Sequence, residues 1–159
     1  MVVLTKNMQH NVSDMIDPET QTQMCGMELT VDKVEEFVGA GILDFDNSSR
    51  TLPPTIEVRH SEGLWFLDAG TYLITFREKV KIPKNACAIA QPRSSLLRMG
   101  VTMGTALWDP GYEGRGQSLL IVHNPYGFWM KENARLVQLV FLKLESEATK
   151  LYNGRYQGV

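Results

Sequence analysis

The most constraining feature of this chain is its punctuation. Short apolar runs, mostly of about four to nine residues, alternate with Gly, Pro, Asp and Asn along most of its length, the pattern of strands joined by turns. "MELTV", "KVEEFV", "TIEVRH", "LWFL", "TYLITF", "VTMGTALW", "SLLIVHN" and "GFWM" are enriched in Val, Ile, Leu, Thr and aromatic side chains. Such a chain folds as an all-β sandwich, jelly roll or barrel. The twelve residues "ARLVQLVFLKLE" also suit an amphipathic helix. Val137, Val140 and Phe141 favour β structure, and the neighbours are strands, so a strand is expected there too.

At 159 residues the chain is expected to form one domain, 1–159, with a real hydrophobic core. Residues 1–24 are polar, and "DPETQTQM" within them reads as a short helix or a loop. "DFDNSSRTLPP" is the most loop-like stretch, ending in a Pro-Pro pair. The tail "LYNGRYQGV" has few apolar residues to pack, so 150–159 is expected to be mobile.

Hydrophobic residues make up 43% of the chain and charged residues 21%, which excludes wholesale disorder. A net charge of -2 offers neither a basic footprint for nucleic acid nor a polybasic patch for a membrane. A small anionic ligand is still served by a few local arginines. Cys25 and Cys87 form no CxxC pair, and His10, His60 and His123 have no ligand spacing, so zinc and a disulfide scaffold are not expected. With no signal-peptide pattern and no apolar window near the roughly 20 residues of a spanning helix, a cytoplasmic location is expected.

Four segments carry candidate chemistry. In "PRSSLLRMG", Pro92 precedes a helical turn that Ser94 or Ser95 can cap, with Leu96, Leu97 and Met99 facing inward. A helix start with hydroxyls and Arg93 nearby suits phosphate oxygens. Taken alone, the commoner reading is a capped turn with Arg93 and Arg98 on the surface. In "WDPGYEGRG", Asp109-Pro110-Gly111 is a tight turn that holds a carboxylate rigidly. Asp109 there can act as a general base or orient water, and Tyr112 can pack on a sugar or base; an ordinary β-turn is the plainer alternative.

The third segment is "ARLVQLVF". Strand alternation places Arg135, Val137 and Leu139 on one face and Leu136, Gln138 and Val140 on the other. Gln138 is then a polar residue on an apolar face, needing a partner from the backbone or from a ligand. In the fourth, "QMCGMEL", Glu28 follows Gly26 at a strand entry, where a lone Glu is usually solvated.

In order and spacing, these segments resemble the superfamily shared by trimeric dUTP pyrophosphatases and dCTP deaminases, closest to the archaeal-type dUTP pyrophosphatases. "KIPKNACAIAQPRSSLLRMG" is similar to the family's strand and phosphate motif, and "WDPGYEG" to its Asp-x-Gly-Tyr/Phe-x-Gly motif. "ARLVQLVF" resembles its Arg-Ile-Ala-Gln-Leu motif, "CGMEL" its early Ala-Gly-x-Asp-Leu motif with Glu28 in the Asp position, and "YNGRYQG" its short tail.

The resemblance implies a distorted jelly roll (β-clip) with one short helix after the phosphate motif. It also implies a homotrimer with active sites at subunit interfaces, hydrolysing dUTP to dUMP and pyrophosphate with Mg²⁺. Asp109 would be the catalytic carboxylate. Arg93, Ser94, Ser95, Arg98 and Gln138 would bind phosphates, and Glu28 would hold metal-bound water. Gly104 and Tyr112 would read base and sugar, with Arg155 and Tyr156 contributing from the tail.

Two departures bear on the activity. The position of the deaminases' proton-shuttling Glu falls on Ile121, and no carboxylate lies between Glu113 and Glu132. The Gly-rich C-terminal motif with a base-stacking Phe, which the resemblance to dUTPases would imply, does not occur in this sequence. A dCTP deaminase, with or without a second activity on dUTP, and a non-catalytic nucleotide-binding trimer remain the alternatives.

Overall fold

A computed structural model of the chain describes residues 3–4 and 8–158. Residues 1–2, 5–7 and 159, which belong to the expected polar N-terminal segment and tail, lie outside the described residues. Among the described residues, twelve strands and two short α-helices follow one another, with a 3₁₀ turn at Gln9–Asn11. They are β1 (Val3–Leu4), β2 (Val12–Ser13), α1 (Pro18–Gln21), β3 (Thr22–Gln23), β4 (Gly26–Phe37), β5 (Thr55–Glu57), β6 (Leu64–Leu67), β7 (Gly70–Lys81), β8 (Ala86–Pro92), α2 (Ser94–Arg98), β9 (Val101–Gly104), β10 (Glu113–Val122), β11 (Phe128–Lys131) and β12 (Arg135–Lys143). The all-β expectation and the short helix after the phosphate motif both hold.

Every strand pairing is antiparallel. The main path runs β1-β12-β4-β7-β10-β9, while β6 and β11 form a separate two-stranded ribbon. The pivot is β4. Its first half pairs with β12 through Met27–Thr30, and its second half pairs with β7 through Val31–Glu36. A register shift between Val31 and Lys33 marks the place where the strand leaves one sheet for the other. Strands that switch sheets at a bulge make the corners of such folds. "MELTV" and "KVEEFV", expected as separate runs, are therefore one 12-residue strand. Both its halves present apolar residues inward, with Met27, Leu29, Val31 and Val34 at most 1% exposed.

Gly26 allows the close approach of β4 to β12. A Cβ there would fall 2.2 Å from the Leu139 carbonyl oxygen. In this register Gln138 on β12 faces Glu28 on β4 and Gln91 on β8. A bulge between Arg135 and Val137 breaks the simple alternation expected for β12. Leu136 and Val137 are both buried, as are Leu139 and Phe141, while Gln138 and Val140 are half-buried. Gln138 is thus not sealed inside an apolar face.

The N-terminal segment is more than a polar lead-in. Met8 and Val12 join the core, and Asp17 caps α1 by accepting from the Glu19 and Thr20 amides, with Pro18 at the first helical position.

Candidate functional site

Two groups of residues gather the expected chemistry, and no residue belongs to both. The first is an open pocket of about 420 Å³. Its wall includes Trp108, Asp109, Tyr112 and Arg115 from the centre of the chain, Phe37 and Leu52 from around the long loop, and Tyr152 and Tyr156 from the tail. None of Glu28, Arg93, Ser94, Ser95, Arg98, Gln138, Gly104 or Arg155 lines it.

Asp109 opens the turn Asp109–Tyr112. The Tyr112 amide donates to the Asp109 carbonyl at 3.1 Å, and Gly111 takes φ +86, which a side-chain-bearing residue rarely adopts. Just before it, Trp108 exchanges both backbone hydrogen bonds with Ala88, each at 2.9 Å, so the turn hangs from β8. The Asp109 side chain is exposed, and no described residue donates to its carboxylate. Tyr112 is buried, its hydroxyl donating to the Arg115 carbonyl at 3.1 Å and its ring meeting Tyr152 edge-on. Burial, with Tyr152 alongside, pushes the phenol up to about 12. It stays neutral and acts as a packed wall. Next along the chain, Lys81 and then Lys79 hold the Glu113 carboxyl below its usual range.

Residues of the tail lie against this turn. The Tyr152 amide donates to the Pro110 carbonyl at 2.8 Å, and the Gly158 amide to the Glu113 carbonyl at 2.8 Å. The Gln157 side chain donates to the Gly111 carbonyl and accepts from the Glu113 amide. Tyr152 and Gln157, not singled out from the sequence, thus clamp the Asp109 turn, while Tyr156 lines the pocket and Arg155 is exposed outside it. Tyr152 and Gln157 both lie in "YNGRYQG", the stretch that resembles the family's short tail, but nothing in that stretch marks which of its residues bond back to the turn.

The second group surrounds Glu28, which is 5% exposed rather than solvated. Arg93 Nε donates to Glu28 Oε1 at 2.6 Å, and Arg135 Nη1 lies 2.7 Å from Oε2. The second contact is ionic without an aligned hydrogen bond, so Oε2 is a buried acceptor still lacking a donor. Arg135 also donates to the Thr20 carbonyl of α1 at 3.1 Å. The sequence did not single out Arg135 as a site residue, because its opposition to Glu28 depends on cross-strand register.

Helix α2 starts from Arg93, whose backbone is extended and whose side chain makes no cap. Neither serine caps the helix; Ser94 and Ser95 begin it with exposed side chains. Of the three apolar residues expected inward, only Leu96 is buried, while Leu97 is 70% and Met99 50% exposed. A single turn has room for one inward position. Arg98 folds back to donate to the Ser94 carbonyl at 2.9 Å. Gly104 sits in the β9–β10 ladder opposite Leu119, and Ile121 is half-buried between Thr102 and Thr71. No group of three or more His, Cys, Asp or Glu side chains that could hold a metal occurs among the described residues. Among the described residues no helix is long and apolar enough to cross a membrane.

The family model for dCTP deaminase-like proteins matches residues 4–144. The chain belongs to that family. A Methanosarcina mazei protein named as a probable deoxyuridine 5'-triphosphate nucleotidohydrolase is 46% identical over 147 residues, covering 92% of this chain and 86% of its own. The deoxyuridine 5'-triphosphate nucleotidohydrolase of Methanocaldococcus jannaschii is 40% identical over 159 residues, covering 99% of both chains. Among solved structures, the fold is similar to 2'-deoxycytidine 5'-triphosphate deaminase from Agrobacterium tumefaciens, with a TM-score of 0.63 at 17% identity, over 83% of this chain and 43% of that one.

Proposed function

We propose that this protein hydrolyses dUTP to dUMP and pyrophosphate. The observation that carries the reading is Asp109, an exposed carboxylate with no donor among the described residues, held on a rigid turn at the wall of a nucleotide-sized pocket. It is supported by relatives at 40–46% identity named for this activity over nearly their whole length. Against deamination stands Ile121, which can carry no proton where the deaminases place a Glu.

In this reading Asp109 accepts a proton from water as the water oxygen attacks the α-phosphorus. The α-phosphorus bond to the bridging oxygen breaks, and pyrophosphate leaves. Tyr112 walls the deoxyribose, and backbone beyond Gly104 reads the uracil edge. Arg93, Ser94, Ser95, Arg98 and Gln138 receive the triphosphate, whose developing charge preplaced donors stabilise. Arg155 and Tyr156 lie on the tail that closes the pocket side.

In this reading the complete site forms between subunits of a homotrimer in the cytoplasm, which is supported by the phosphate residues not lining the pocket of their own chain. Mg²⁺, carried on the triphosphate, supplies charge neutralisation when bound. Glu28 Oε2, a buried acceptor without a donor, fits the proton of a metal-held water.

The test is incubation with dUTP and with dCTP while following pyrophosphate and ammonia. Pyrophosphate from dUTP alone is expected. Ammonia from dCTP would transfer the reading to a deaminase, and neither product would leave a nucleotide-binding protein without catalysis.

A further inference from the structure

Behind the Glu28 group lies a second carboxylate that the mechanism does not use. Glu78, on β7, is completely buried, with no arginine or lysine paired to it among the described residues. Burying a carboxylate without a cation is costly unless hydrogen bonds replace its water. Three donors do so here. Gln21 Nε2 and Thr30 Oγ1 donate to Oε1 at 2.6 and 2.7 Å, and the Thr30 amide donates to Oε2 at 2.8 Å.

Gln21 is equally committed. Its Nε2 also donates to the Glu28 carbonyl at 2.9 Å, and its Oε1 accepts from the Ile16 and Asp17 amides. The network therefore holds the β4 backbone at Glu28 and at Thr30, the positions immediately flanking buried Leu29. It also fixes α1, a single turn too short to be stable alone, whose Thr20 carbonyl receives Arg135. Three of its contacts thus converge on the frame of the Arg93–Glu28–Arg135 cluster.

We propose that Glu78 and Gln21 are positioning residues for Arg93, the arginine read above as a phosphate ligand. They set the height of Glu28 on β4 and the seat of Arg135 on α1, and through these the direction in which Arg93 presents its remaining N–H groups. An acceptor-only side chain suits Glu78, since an amide in its place would set its NH₂ against either the Thr30 amide or Gln21 Nε2, both of which are donors. A hydrophobic residue would fill the same space but remove the acceptor of one Gln21 N–H and of the Thr30 amide and hydroxyl. The proposal rests on the reading of Arg93 as a phosphate ligand.

The experiment measures Glu78→Gln, Gln21→Ala and their double variant by steady-state kinetics on dUTP, and by calorimetric binding of inorganic tripolyphosphate. Each single variant should raise KM, and weaken tripolyphosphate, by roughly tenfold, the scale of one misplaced charged hydrogen bond, with kcat changed less than about threefold. Because both act through one network, the double variant should be little worse than either single. A control, Ile74→Val, thins the core elsewhere on β7 and should lower Tm without moving KM or tripolyphosphate affinity. If Glu78→Gln does not fold, Thr30→Val, which removes one donor and keeps the shape, should show the same shift at smaller size.

Folded variants that lose Tm but keep wild-type KM and tripolyphosphate affinity would overturn the proposal, as would additive effects in the double variant. The tripolyphosphate arm requires no turnover. A wild-type protein that binds tripolyphosphate but leaves dUTP intact would therefore count against the proposed activity and not against this network.

Discussion

Trp108 fills the space that a side chain at Gly116 would need: a Cβ built there would stand 2.7 Å from the indole Cζ2. The ring is buried and its backbone is bonded on both sides to Ala88, so it has little room to withdraw. Asp109 is the next residue. Its position is therefore set by a tryptophan seated on a glycine of β10.

Gly116→Ala should cost about 1–3 kcal/mol through this overpacking and lower kcat by displacing Asp109, as read by thermal unfolding and dUTP turnover. Gly104 makes the contrast. A Cβ there would meet Leu119 Cβ at 3.5 Å, an ordinary contact. Gly104→Ala should leave Tm almost unchanged, and Gly104→Val should raise KM for all uracil nucleotides. Equal loss of stability at positions 104 and 116 would contradict the packing argument.

Asp109→Asn keeps the size of a side chain that no described residue holds, so the fold should be untouched. Removing the basicity should lower kcat by roughly 10²–10⁴, the usual weight of a general base, with dUTP binding largely retained. Near-normal turnover in the variant would remove Asp109 from the chemistry.

Arg93→Ala should weaken triphosphate binding far more than deoxyuridine binding, because it removes a charge-assisted contact and one of the two arginines on Glu28. Arg93→Lys should not restore it, since the bond to Glu28 runs through Nε and an ammonium has no planar fork. Equal weakening of both ligands, measured by calorimetry, would assign Arg93 a structural part only.

Tyr112→Ala should raise activity on UTP relative to dUTP, because the wall against the sugar is gone; an unchanged preference in a folded variant would acquit Tyr112. Its ionisation gives an independent check. The folded phenol titrates near 12 and the unfolded one near 10, so folding is unaffected below pH 10 and loses stability as pH rises from there towards 12. The loss is on the order of 2 kcal/mol. The Tm of the wild type should fall relative to Tyr112→Phe across that window and match its trend below it.

Much of the fold was legible because strand ends are decided locally. Gly, Pro, Asp and Asn stop a strand by their own backbone preferences, and β-branched runs extend it. The single strand β4 was not legible as one piece. "MELTV" and "KVEEFV" join across Asp32, which is exposed at the change of sheet, and only the two partners β12 and β7 reveal that the chain continues. The inward direction of Leu97 and Met99 was misjudged for a related reason: a turn of five residues offers its sheet one contact, which Leu96 takes.

By itself the sequence determined which chemical groups the protein carries and the local geometry of their turns. Pro110 and Gly111 are enough to shape the Asp109 turn, and Ile121 is enough to remove a proton carrier. Tertiary structure alone decided their company. Glu28 meets Arg135, Gln21 meets Glu78 and the tail meets Gly111 because cross-strand register and chain return bring distant residues within hydrogen-bonding reach. That register depends on side-chain packing across the whole sheet and on a bulge at Arg135, to which no short motif is sensitive.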